Sequence, residues 1–70
     1  MDHVITRHQP DLERVIDEYL EMPGLSLTPS QASRLFGIDT ATCERILEEL
    51  VDRRFLRRTA EGSYVRPSHA

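Results

Sequence analysis

Between Thr28 and Arg54 the chain carries two stretches of apolar residues at helical spacing, with a short turn between them. Thr28 and Gln31 have the separation of a capping box, in which each residue satisfies an orphan donor at a helix start. Pro29 suits the first helical position, where its missing N–H costs nothing. Ala32, Leu35 and Phe36 are then expected to form the buried face of a helix. Gly37 is placed to adopt the left-handed conformation that ends it, and Ile38 is the apolar residue that packs back. Asp39 reads as the cap of the next helix, whose apolar stripe is Cys43, Ile46, Leu47, Leu50 and Val51. At about 100° per residue the opposite pole carries Ala41, Arg45, Glu48 and Asp52.

Two helices joined in this way form a helix-turn-helix, whose second helix is the one a DNA reader inserts. An earlier helix begins at Pro10. Its stripe is Leu12, Val15, Ile16, Tyr19 and Leu20, with Asp11 and Glu13 in the first turn where the helix dipole favours negative charge. Met22-Pro23-Gly24 stops it. Leu25-Ser26-Leu27 is a brief strand expected to pair with a later hairpin. That hairpin starts at Phe55-Leu56, turns through Ala60-Glu61-Gly62-Ser63 with Gly62 free to take positive φ, and returns along Tyr64-Val65-Arg66. The expected domain spans residues 10–67 and is mainly α in an α+β arrangement. Residues 1–9 are expected to form a flexible tail and 68–70 a frayed end.

A chain of 70 residues makes one small domain, and apolar runs never exceed two residues, so no membrane span is expected. The single cysteine cannot form an internal disulfide, and a reducing cytoplasm is the expected compartment. The net charge of −3 argues against a nucleic-acid partner, but its distribution is polar. Residues 1–28 hold two arginines against six acids, residues 29–52 two against five, and residues 53–70 five against one. All nine basic residues are arginine, which favours bidentate contacts with phosphate or carboxylate.

The order helix, strand, helix, turn, helix, hairpin is the winged-helix arrangement, and the residues resemble the DNA-binding modules of IclR-type and MarR-type bacterial transcriptional regulators. The resemblance rests on Leu27, Thr28, Ala32, Leu35 and Gly37, then Thr42, Arg45, Leu47, Leu50, Leu56 and Arg58, and finally Gly62 and Tyr64. Met22 to Thr28, Cys43 and Phe55-Leu56 also resemble a group of short, stand-alone bacterial winged-helix proteins of unassigned function. One position departs from the pattern: Arg54 stands where those families usually have glycine before the wing.

The resemblance implies that the third helix enters the major groove N-terminus first. Thr40, Ala41, Thr42 and Arg45 would then face base edges and phosphates, with Arg45 able to make a bidentate contact to guanine. Arg57, Arg58 and Arg66 on the wing would meet backbone phosphates, with Arg53 and Arg54 as supplements. The Thr28–Gln31 helix start could offer its N–H groups to a phosphate. Against this stand Glu44, Glu48, Glu49 and Asp52, since carboxylates facing a polyanion repel it. The plainer reading is a solvated, salt-bridged face, with Glu49 and Arg53 paired at i, i+4 and Arg53 and Arg54 at the helix's negative end. Strand alternation puts Arg58 on the side of Leu56, where it would lie along the sheet, and leaves Arg57 exposed.

Cys43 sits on the apolar stripe and reads as a buried structural thiol rather than a redox switch. His3, His8 and His69 have no ligand spacing, so no metal is expected, nor any other cofactor or small-molecule ligand. No phosphate loop or nucleophile elbow is visible, and an enzyme is not expected. Two functions follow. The first is a small DNA-binding protein acting on duplex DNA as a transcriptional regulator. The second is a module that binds a protein partner, or itself as a homodimer, through its acidic helices.

Overall fold

The computed structural model describes residues 10–67; the expected tail over 1–9, the frayed end over 68–70 and all three histidines lie outside the described residues. Pro10–Glu21 forms α1, Ser26–Leu27 β1, Pro29–Phe36 α2, Thr40–Asp52 α3, Arg57–Arg58 β2 and Tyr64–Val65 β3. The strands make one antiparallel sheet in the order β1-β3-β2. The central strand β3 sets Tyr64 opposite Leu27 on one side and Arg58 on the other. The architecture is a small mixed α+β domain of three helices and a three-stranded antiparallel sheet. Among the described residues no helix is long and apolar enough to cross a membrane.

Local chemistry sets the element boundaries. The Thr28 hydroxyl accepts from the Gln31 N–H at 3.2 Å while the Gln31 side chain accepts from the Thr28 N–H at 3.0 Å, the expected capping box. Replacing Thr28 with alanine removes half of that box and should cost about 1 kcal/mol in a urea unfolding titration. An unchanged midpoint would show that the box contributes nothing net. Gly37 ends α2 at φ 69° with its N–H on the Ser33 carbonyl at 2.9 Å. Asp39 caps α3 by accepting from the Thr42 N–H at 3.0 Å.

The far end of α3 closes differently from any glycine-capped helix. Arg54 has φ 65°, the one non-glycine residue with positive φ among those described. The Arg54 N–H reaches the Val51 carbonyl at 2.9 Å, and the Phe55 N–H reaches the Leu50 carbonyl at 2.9 Å. These two bonds around a left-handed residue make a Schellman motif, a position at which L side chains are strained and glycine is usual. The same closure delays the hairpin. Phe55 and Leu56 were expected to begin its first strand, but both direct their N–H groups back to Leu50, and the ladder starts at Arg57.

The core gathers residues from every helix and from the sheet, with Leu47, Leu50 and Tyr19 fully buried. Two residues expected on apolar stripes are not in it. Leu20 is 56% exposed and Leu35 is 49% exposed. Each lies roughly 80° or more from the centre of its helix's buried face, taking about 100° per residue, and α2 is too short to be wrapped further. Two tyrosines tie the layers together. The Tyr19 hydroxyl donates to the Tyr64 carbonyl at 2.7 Å, fastening α1 to the sheet, and the Tyr64 hydroxyl donates to Glu48 Oε2 at 2.6 Å, fastening the sheet to α3. Arg14 donates to the Phe36 carbonyl at 3.2 Å and so holds α1 against the end of α2.

Candidate nucleic-acid interface

The start of α3 leaves Thr40, Ala41 and Arg45 exposed on the outer face. Thr42 is different. Its N–H and its hydroxyl both go to the Asp39 carboxylate, the hydroxyl at 2.8 Å, so its side chain serves the cap rather than facing a base. Those two bonds from Thr42, the hydroxyl first, hold the Asp39 carboxyl below its usual range, with a smaller contribution from Arg45. Arg45 itself makes no ion pair among the described residues.

The arginines from residue 53 onward divide into two groups. Arg53 Nε lies 2.9 Å from Glu49 Oε2, the expected i, i+4 pair. Arg58 Nη1 lies 2.5 Å from Glu48 Oε2, the oxygen that also accepts from Tyr64. The expectation that Arg58 lies along the sheet is thereby corrected: with Arg58 in register opposite Tyr64, its guanidinium reaches across to Glu48 of α3. Arg66 turns inward, donating to the Phe55 carbonyl at 2.6 Å with its guanidinium carbon 3.9 Å from the Phe55 ring centroid. Arg66 is thus half-buried and not presented as a free wing residue. Arg54 and Arg57 remain exposed and form no ion pair among the described residues.

Comparison with protein-family models, with curated proteins and with solved structures finds no match to this chain.

Two open grooves border these side chains. One, of about 1000 Å³, runs along the outer face of α3 and is lined by Asp11, Glu44, Glu48, Glu49 and Asp52 together with Arg45 and Arg58. Its carboxylates are only partly balanced, since Arg53 and Arg58 each satisfy one of them. The other, of about 560 Å³, has Val51, Leu56 and Pro67 as its apolar lining and Arg54, Arg57 and Arg58 as its charged lining. Cys43 belongs to neither groove. It is buried, and burial is the main cause pushing its thiol up, with Asp39 and Asp11 adding to it. A thiolate is therefore disfavoured there. Among the described residues no group of three or more histidine, cysteine or carboxylate side chains is placed to hold a metal ion.

The Arg53–Glu49 pair was readable from spacing alone. The Glu48 junction was not, because its partners lie ten and sixteen residues away and meet it only once the hairpin folds onto α3. Arg54 carried one signal in the sequence, its place where the resemblance calls for glycine.

Proposed function

We propose that the chain is a small winged-helix DNA-binding protein, a transcriptional regulator in its simplest form, that places the start of α3 in the major groove and the β2–β3 hairpin on backbone phosphates. The observation that carries this reading is the exposure of Arg45 on the outer face of α3, free of any ion pair among the described residues. An arginine so placed can make a bidentate contact to the O6 and N7 of guanine. Arg57 on the edge strand β2 supplies a second guanidinium with no ion pair among the described residues, suited to a phosphate. The helix order and the hairpin that follows α3 support the same docking geometry.

Fluorescence anisotropy with a mixed-sequence duplex tests the proposal. If about three phosphates are neutralised, binding should weaken by about 40-fold between 50 and 200 mM salt. Arg57→Ala should weaken binding equally for all sequences, whereas Arg45→Ala should remove about 1–3 kcal/mol of discrimination at one base pair. No binding at 50 mM salt would sink the reading.

A second reading draws on the acidic groove over α3, whose carboxylates repel a polyanion and attract a basic surface. There the fold serves as a protein-interaction module, for a basic partner or for the arginine-bearing end of a second copy. The same titration separates the two, because this reading requires that duplex fail to bind at low salt.

A further inference from the structure

Arg54 is the residue in the described structure that is held in the least favourable backbone conformation for its type. It occupies the left-handed position of the Schellman closure at φ 65°, where glycine would fit without strain. Strain retained at one surface position calls for a compensating role. The side chain offers the protein nothing in return internally: it is exposed and makes no ion pair among the described residues. Its neighbours Arg53, Arg58 and Arg66, by contrast, each have an intramolecular partner.

The surroundings show what it is presented to. Arg54 and Arg57 border one open groove whose lining also includes Val51, Leu56 and Pro67. Arg54 reaches this groove from the end of α3 and Arg57 from the edge strand β2. Two guanidinium forks with no ion pair among the described residues, in a groove with an apolar lining, match one anionic phosphate group flanked by a sugar, the repeating unit of a nucleic-acid backbone. Two carboxylates of α3 are engaged elsewhere, Glu49 with Arg53 and Glu48 with Arg58 and Tyr64.

We infer that Arg54 and Arg57 together clamp a single backbone phosphate of duplex DNA, and that the left-handed turn at Arg54 exists to aim its side chain at that phosphate. The inference rests on the duplex-binding reading and adds a contact to it. The groove takes one phosphate between two guanidinium groups, so loss of either group removes one charge-assisted contact while the other keeps hold of the phosphate.

Arg54→Gly provides the test, because strain and contact move in opposite directions. The thermal midpoint should rise by about 4 °C as the turn relaxes, which excludes unfolding as the cause of any loss of binding. Duplex affinity at 0.1 M salt should nonetheless fall by about 10-fold for the lost charge-assisted contact, and the slope of log affinity against log salt should change by less than about 0.9, since Arg57 still holds the phosphate. Arg14→Ala removes the same unit of charge from α1, where the guanidinium is held on the Phe36 carbonyl, and should weaken binding by less than about 2-fold. Wild type that binds with Arg54→Gly binding equally well overturns the clamp and leaves the duplex reading standing. So does an equal loss in Arg14→Ala, which would make the effect one of net charge. Wild type that fails to bind duplex at low salt overturns both.

Discussion

Leu47→Ala should leave the chain largely unfolded at 25 °C. Leu47 is fully buried in α3, and the core it belongs to draws on α1, α2, β1 and β3 at once. Truncation of a buried leucine to alanine costs about 2–5 kcal/mol, the high end applying where the surroundings cannot collapse into the cavity. A core in a chain of this size rarely supplies more than about 3–5 kcal/mol in total, so one such cavity consumes most of the stability. Two other members of this core are also poorly able to move. Tyr19 and Tyr64 are pinned by their hydroxyls to the Tyr64 carbonyl and to Glu48. Circular dichroism at 222 nm through a urea titration measures the outcome. Leu20→Ala is the matched control, because Leu20 is 56% exposed on α1 and its truncation should change stability by less than about 0.5 kcal/mol. A Leu47→Ala midpoint close to wild type would mean that this core is not the source of stability.

Alkaline pH should unfold the protein at a lower urea concentration, with the loss concentrated between pH 10 and 12. Tyr19 is buried, and burial is the main cause raising its phenol from 10.0 to about 12, opposed by a backbone hydrogen bond from Leu27. The folded state therefore holds this proton more tightly than the unfolded chain does. The contribution is fully present below pH 10 and is lost as pH rises through about 12, for a change of about 3 kcal/mol by linkage. Tyr64 acts in the same direction, its phenol raised first by burial and then by its bond to the Glu48 carboxylate. Cys43 has the same sign, because burial raises its thiol too, and it adds an earlier onset above pH 9. Urea midpoints at pH 8, 10 and 11.5, together with phenolate absorbance near 295 nm, follow the process. Tyr19→Phe loses the bond to the Tyr64 carbonyl, costing about 1–2 kcal/mol at pH 7, but should flatten the decline above pH 10. A Tyr19→Phe protein as alkali-sensitive as wild type would assign the effect to other groups.

Both expectations depend on tertiary structure in different degrees. That Leu47 is buried follows from its place on the α3 stripe, since a helix with apolar residues at Cys43, Ile46, Leu47 and Leu50 can satisfy them only by turning that side inward. That the Tyr19 phenol is raised to about 12 follows mainly from its burial, whereas the Tyr64 carbonyl that its hydroxyl meets lies 45 residues away, a partner for which its own helix holds no signal. The candidate interface divides along the same line. Exposure of Thr40, Ala41 and Arg45 follows from the phase of α3, as does the Arg53–Glu49 pair one turn apart. The withdrawal of Thr42 into the Asp39 cap is equally local, yet it was masked by the resemblance, which casts Thr42 as a contact. Arg58 and Arg66 could not be sorted from Arg57 by residue type or count. Their partners, Glu48 and Phe55, become neighbours only through the hairpin's register and its return along the end of α3.

By itself the sequence determined the helices, their caps, the left-handed stops at Gly37 and Gly62, and the turn between α2 and α3, because every partner in these features lies within five residues along the chain. Tertiary structure alone decided which charges remain available. Glu48 satisfies Arg58 and Tyr64 in one place, Phe55 holds Arg66, and Arg45, Arg54 and Arg57 are left to solvent. A guanidinium is drawn to whichever acceptor the fold brings within reach, and for residues ten or more apart that distance is set by packing of the core rather than by the local chain.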